Sequence, residues 1–179
     1  MFFATLLLSP LFTDHMVLQR DRSNAVWGKD DPQQVVTLTV EGAATAPAPV
    51  QVVTAADGTW KLACPELPAG GPYRLRVHGS TEQVVDDVLA GEVWIASGQS
   101  NMEWKLPATD HGEEDVAAAN DPELRMFKVD QTALPAPRDT VTGQWDRATP
   151  QAAADFSAIG YLFARELRQK LGVPVGIIN

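Results

Sequence analysis

The hydrophobic pattern changes its grammar near Gly91, which points to two differently built halves. Up to there the chain is a run of short strand-like segments: Ala25 to Gly28, Val35 to Val40, Val50 to Thr54, Thr59 to Ala63, Tyr73 to His78 and Gln83 to Leu89. Val35, Thr37 and Thr39 alternate with Val36, Leu38 and Val40 at the two-residue period of a strand. Asp57-Gly58 and Gly70-Gly71-Pro72 supply turn positions of positive or fixed φ. Turns spaced about 8–12 residues apart predict an antiparallel sandwich or barrel. The Ala/Pro-rich stretch from Ala43 to Pro49 reads as a long hairpin loop. Residues 1–90 are therefore expected to form an N-terminal domain of that kind.

After Gly91 a nearly continuous apolar strand, Val93 to Ala96, runs into a small polar turn, Ser97 to Asn101, and then into helical sequence around Glu113 to Ala119. A second buried strand, Leu124 to Val129, precedes a Pro-punctuated loop. Phe156, Ile159, Phe163, Leu167 and Leu171 then recur at helical spacing, with Asp155 or Ser157 to cap that helix and Gly172 and Pro174 to stop it. Val173 to Ile178 is apolar on both faces, as a central parallel strand flanked by helices should be. Residues 91–179 thus predict the first part of an α/β/α domain with a parallel sheet, too short for the crossovers that usually complete one.

Composition narrows the partners. Lys+Arg 14 against Asp+Glu 23 gives a net charge of -9, and no basic cluster offsets it, so nucleic acid and anionic lipid surfaces are disfavoured. Cys64 is the only cysteine, which excludes an intrachain disulfide and a thiolate zinc site. Met1 to Leu8 is apolar but lacks a basic flank, and Pro10 interrupts it well short of the roughly 18 residues of a membrane span. The acidic run Glu113, Glu114, Asp115 points its carboxylates to different faces of a helix, which suits a solvated helix start better than a metal site. No metal or organic cofactor is implied.

Chemistry is most legible at Ser97-Gly98-Gln99-Ser100-Asn101, where a buried strand turns toward a helix at the carboxyl edge of the expected sheet. Such a turn can simply join a strand to a helix. It can also project a serine hydroxyl whose own N–H donates to a developing oxyanion, with Gly98 letting a substrate approach closely. Met102 stands where the second glycine of a Gly-x-Ser-x-Gly elbow would be, which disfavours an ordinary α/β-hydrolase. His111, with Asp110 beside it, is the nearest imidazole in the chain, but a solvated position in an acidic loop explains it more simply. His15 and His78 fall among the strands as structural or surface residues. Trp60 and Trp94, in apolar strands, are expected in the core, and Trp104 is a candidate wall for a substrate pocket.

The run Leu89-Ala-Gly-Glu-Val-Trp-Ile-Ala-Ser-Gly-Gln-Ser-Asn-Met-Glu-Trp104 resembles the nucleophile block of the sialate O-acetylesterase family, serine esterases of the SGNH-hydrolase type. Leu8 to Arg20, Val26-Trp-Gly28, Asp57-Gly-Thr-Trp60, Phe156 to Tyr161 and Gly172 to Asn179 fit the same family in order. The resemblance implies a β-sandwich-like N-terminal domain, 1–90, followed by the first part of an α/β/α catalytic domain, 91–179, with Ser100 as the nucleophile attacking an acetyl ester, its backbone N–H as the first oxyanion donor, and Gln99 and Asn101 as flanking, orienting residues. The implied substrate is an O-acetylated sugar, sialic acid or a related glycan, and the implied setting is secreted, periplasmic or lysosomal. It also implies that the remaining oxyanion donors, a glycine and an asparagine, and the catalytic histidine with its acidic partner come from blocks beyond the third strand. Loss of the base from a serine triad costs on the order of 10⁶ in turnover, so this N-terminal portion is expected to be nearly inactive alone. The missing half is then a possible partner as a second chain. The competing expectation is a non-catalytic β-sandwich module for carbohydrate binding or adhesion.

Overall fold

The computed structural model describes residues 5–130, 136 and 141–179. Its strands are β1 Leu7–Leu8, β2 Val17–Gln19, β3 Asn24–Lys29, β4 Val35–Glu41, β5 Val50–Val53, β6 Thr59–Cys64, β7 Gly70–His78, β8 Glu82–Ile95, β9 Asp121–Phe127, β10 Trp145–Ala148 and β11 Val175–Ile178. The helices are α1 Gly112–Ala117, α2 Pro150–Ala154 and α3 Ala158–Leu171. The architecture is mostly sheet, in a three-stranded sheet ordered β1-β3-β6 and an eight-stranded mixed sheet ordered β10-β9-β11-β8-β7-β4-β5, with β2 beside β8.

The period-2 patterns bury as they read. In β4, Val36, Leu38 and Val40 are buried, and in β6, Trp60, Leu62 and Cys64 are. These side chains, from different sheets, share one apolar core. Burial pushes the Cys64 thiol up to about 12, so it behaves as a small apolar side chain and not as a nucleophile. β4 and β5 pair antiparallel across the Ala/Pro-rich segment, which is the connection of a hairpin.

β8 is a single strand of 14 residues that passes straight through the expected boundary at 90/91. Its first part pairs antiparallel with β7, and Glu92 to Ile95 pair parallel with β11. β11 is also parallel to β9, and its Val175, Gly176 and Ile177 are buried, as expected for a strand covered on both faces. A second core gathers Ala96, Leu124, Met126, Phe156, Tyr161 and Ile177 under the helices. The first core nonetheless takes in Phe127 and Trp145 from the C-terminal half, and the Trp145 indole N–H donates to the Leu11 carbonyl at 2.9 Å.

One packing expectation is corrected. Trp94 is not a core residue: it is 45% exposed and stands edge-on to Phe163 at 5.3 Å. The stripe of Ile159, Phe163 and Leu171 also faces outward, while Ala158, Gly160, Tyr161 and Ala164 are buried. The face of α3 turned to the sheet mixes small residues with Tyr161, with half-buried Leu162 and Leu167 packed against the second core. Strand β10 and helix α2 were not anticipated by the hydrophobic pattern. Residues 1–4 and most of the Pro-punctuated loop lie outside the described residues.

Of the two capping candidates for α3, the structure selects Ser157, whose Oγ accepts from the Gly160 N–H at 3.2 Å. Gly172 closes the helix with φ 64°, and its N–H donates to the Arg168 carbonyl. Ser157→Ala is expected to cost about 1 kcal/mol of stability, measured by urea denaturation as a lower midpoint with an unchanged slope.

Candidate active site

The three parallel strands end together, with Ile178 of β11 in register with Ile95 of β8 and Phe127 of β9. Just beyond that edge is a cleft of about 520 Å³, into which the strand ends deliver Ala96, Ser97, Gly98, Lys128 and Asn179. Met102, Lys105, Asp155 and Ser157 complete its principal lining. Open α/β sheets bind ligands at this end of their strands.

The turn leaving β8 is unusual in its backbone. Gly98 has φ 156°, Gln99 is extended, and Ser100 has φ 52°, opening a short 3-10 helix from Ser100 to Glu103. A non-glycine residue in the left-handed region costs on the order of 1–3 kcal/mol and persists where its surroundings dictate it. Here the surroundings are the α2–α3 junction. The Ala158 N–H donates to the Trp104 carbonyl at 2.8 Å, the Leu106 N–H to the Phe156 carbonyl at 3.3 Å, and the Ser157 hydroxyl to the Met102 sulfur at 3.3 Å. Lys105 Nζ donates to the Asp155 carbonyl at 2.9 Å and to its carboxylate. The result is an anchored turn whose residues Ser97 to Asn101 are all exposed. A serine presented from a strained strand-to-helix turn is the geometry of an accessible nucleophile.

Of the residues singled out in the sequence, Ser97 and Gly98 line the cleft, while Gln99, Ser100 and Asn101 are exposed on the turn that follows and are not among its lining residues. Trp104 is exposed, and its indole N–H is held by the Ala108 carbonyl at 3.1 Å; it is not among the residues lining the cleft. The histidines lie elsewhere. His111 is exposed at the start of α1, 3.8 Å from Glu114; His15 pairs with Asp87 at 2.6 Å; His78 ends β7 in solvent. Among the described residues no imidazole lines this cleft, and no group of three or more His, Cys, Asp or Glu side chains is arranged to hold a metal ion.

An ion cluster also lines this cleft, where Asp155 is bridged by Lys105 and Lys128. Hydrogen bonds from Lys105 and then Lys128 hold the Asp155 carboxyl below the usual carboxylate range, and the bond to Asp155 raises Lys128. Both partners are therefore charged at neutral pH. Lys128 has no free lone pair to accept a serine proton, and Asp155 is occupied by two ammonium groups. Residues 50 and 27 positions apart form this cluster, so no local motif announces it.

No family model matches the chain. It is 30% identical to a sialate O-acetylesterase of Pongo abelii, over 91% of this chain and 34% of that protein. The sialate O-acetylesterase of Homo sapiens is 29% identical, again over 91% of this chain and 34% of its own length. The crystal structure of a carbohydrate acetylesterase from Xanthomonas citri superposes with a TM-score of 0.91 at 45% identity, covering 98% of this chain and 40% of that one. The chain thus spans about a third of the length of the curated relatives it matches.

Proposed function

The chain belongs to the sialate O-acetylesterase family, and from that premise we propose that it supplies the nucleophile-bearing part of a serine esterase that removes O-acetyl groups from sialic acid or a related sugar. In this reading a β-sandwich-like half carries the first part of an SGNH-type α/β/α half. Ser100 Oγ attacks the acetyl carbonyl carbon, and the Ser100 N–H donates to the oxyanion that forms. The carbonyl re-forms as the sugar oxygen departs with a proton, leaving acetyl-Ser100, which water then hydrolyses to acetate and the free hydroxyl. Gln99 and Asn101 flank and orient the nucleophile, Gly98 gives the substrate close access, and exposed Trp104 offers an outer wall.

The observation that carries this reading is Ser100 itself, held at φ 52° on an exposed turn at the carboxyl edge of the parallel strands. In this reading the base comes from outside this chain: among the described residues no imidazole lines the cleft, whose Lys105, Lys128 and Asp155 pair with one another and whose other ionisable groups are the carboxylates of Glu103 and Asp130. p-Nitrophenyl acetate hydrolysis tests it, comparing the 179-residue chain with the same chain joined to the rest of the Xanthomonas citri relative. Turnover by the long form alone is expected. Silence of both forms would overturn the esterase reading in favour of a non-catalytic sugar-binding module, and serine-dependent turnover by the short form would return the base to this chain.

A further inference from the structure

Strand β10 and helix α2 build a second cleft beside the first. In the β9–β10 hairpin Phe127 pairs with Trp145 and Met126 with Asp146. Side chains alternate between the two faces of a strand. Phe127 and Trp145 therefore enter the first core, while Met126 and Lys128 share the other face with Asp146 and Gln144. Thr149 and Pro150 then start α2, which closes that face with Thr149, Gln151 and Ala152. The enclosed cleft measures about 360 Å³, within the roughly 300–1,000 Å³ of a small-molecule site. Lys128 and Asp155 line both this cleft and the one beside the turn, so their ion pair is a partition between two adjoining hollows.

The lining of the second cleft suits hydroxyl groups. Its apolar part is small, Met126 and Phe156, and both are buried. Around them stand the exposed side chains of Gln144, Asp146, Thr149 and Gln151. A glutamine amide offers two donors and an acceptor, and a carboxylate offers acceptors alone. The Gln144 amide donates to the Asp146 carboxylate at 3.1 Å, which orients both. The Thr149 Oγ1 accepts the Ala152 N–H at 3.3 Å, leaving its own proton for another acceptor. An anionic group is disfavoured, because Lys128, the cation of this lining, is already paired with Asp155 and Asp146 adds a negative charge. A neutral sugar ring has C–H groups for the apolar floor and hydroxyls for the polar rim.

We infer that this cleft is a second sugar subsite, which holds the unit next to the acetylated one. The substrate is then an O-acetyl group carried within a glycan of at least two units, and not on a free monosaccharide. The inference rests on the reading of this chain as part of a sugar esterase, which places the acetylated unit in the first cleft. Gln144 and Gln151 are assigned as specificity residues, outside the machinery that breaks the ester.

Two measurements test it. On the 179-residue chain, NMR follows the side-chain amide signals of Gln144 and Gln151 as cellobiose or lactose is added, with glycerol as the nonspecific polyol. At least one disaccharide is expected to move both signals with a dissociation constant on the order of 1–10 mM, and glycerol neither. In the joined form used above for p-nitrophenyl acetate, acetylated cellobiose is compared with acetylated glucose, and acetylated sialyllactose with acetylated sialic acid. In at least one pair the longer sugar is expected to have a KM at least about tenfold lower. The double variant Gln144→Ala, Gln151→Ala is expected to remove that advantage, leaving kcat and the turnover of p-nitrophenyl acetate, which carries no sugar, within about twofold. Both side chains are exposed, so the melting temperature checks that the fold is unchanged. Amide signals that neither disaccharide moves, equal KM within both pairs, or an advantage that survives the double variant would each overturn the inference. Amide shifts without hydrolysis of any ester would keep the subsite and sink the esterase reading; hydrolysis without shifts would do the reverse.

Discussion

Ser100→Ala, made in the 179-residue chain joined to the rest of the Xanthomonas citri relative, is expected to lower kcat for p-nitrophenyl acetate by on the order of 10⁶, with KM little changed. The size follows from the role. A nucleophile makes the bond that divides the reaction into two steps, so removing it leaves only the oxyanion donors and binding, worth about 10³–10⁴ over water. Ser97 is the internal control. It lines the cleft itself, three residues before Ser100, but is not held at positive φ, and Ser97→Ala is expected to keep kcat within about a factor of ten. Melting temperatures should be nearly unchanged for both variants, because both side chains are exposed and the anchoring bonds come from Met102, Trp104, Lys105 and Leu106. The reverse pattern, loss with Ser97→Ala and retention with Ser100→Ala, would move the nucleophile and remove the reason for the strained backbone.

How much of this was legible depended on whether the signal was local. The β4 and β6 strands were, because alternation alone puts Val36, Leu38 and Val40, or Trp60, Leu62 and Cys64, on one buried face. The exposed turn from Ser97 to Asn101 after β8 was, because its string is contiguous. At Gly91 strand β8 continues while its partner changes from antiparallel β7 to parallel β11, and a Cβ there would sit 1.9 Å from the Pro174 carbonyl oxygen, so glycine lets the segment leading into β11 lie against the strand. The apolar stripe of α3 was legible only in part: Phe156 and Leu167 join the second core, while Ile159, Phe163 and Leu171 are exposed. Helix α2 had a start signal in Thr149-Pro150, and the Thr149 Oγ1 does accept the Ala152 N–H, but five residues are too few for a period to register. The Lys105–Asp155–Lys128 cluster had no sequence signal, since only the third dimension assembles it.

Asp87→Asn is expected to be the most destabilising conservative substitution between the two halves, lowering stability by about 3–5 kcal/mol and the melting temperature by roughly 10 °C. One Asp87 oxygen, Oδ2, receives Arg125 at 2.7 Å, Arg147 at 2.8 Å and His15 at 2.6 Å, tying β8 to β9, β10 and the segment before β2. Arg125 is 2% exposed, so without the carboxylate its charge stays buried with only the Pro122 and His15 carbonyls to receive it. Asparagine keeps the size and tolerates the φ of 53° at this position, which isolates the charge from the backbone. Burial alone would raise the Asp87 carboxyl, but the hydrogen bonds from Arg125, Arg147 and His15 outweigh it and hold the group well below the usual carboxylate range. A folded-state value below the unfolded one contributes stability that is complete above the unfolded value and lost as pH falls through the folded one. The gap between native chain and variant should therefore be widest near neutrality and narrow steadily below about pH 5. Asp86→Asn, which breaks an exposed pair with Arg74, is expected to cost no more than about 1 kcal/mol. Thermal melts across this pH range measure both; a gap independent of pH, or one no larger than that of Asp86→Asn, would mean that the Asp87 charge does not hold the halves together. If the gap behaves as derived, the same carboxylate also fixes the edge on which the cleft is built, because Arg125 is two residues from Phe127 and three from Lys128 along the strand that delivers them.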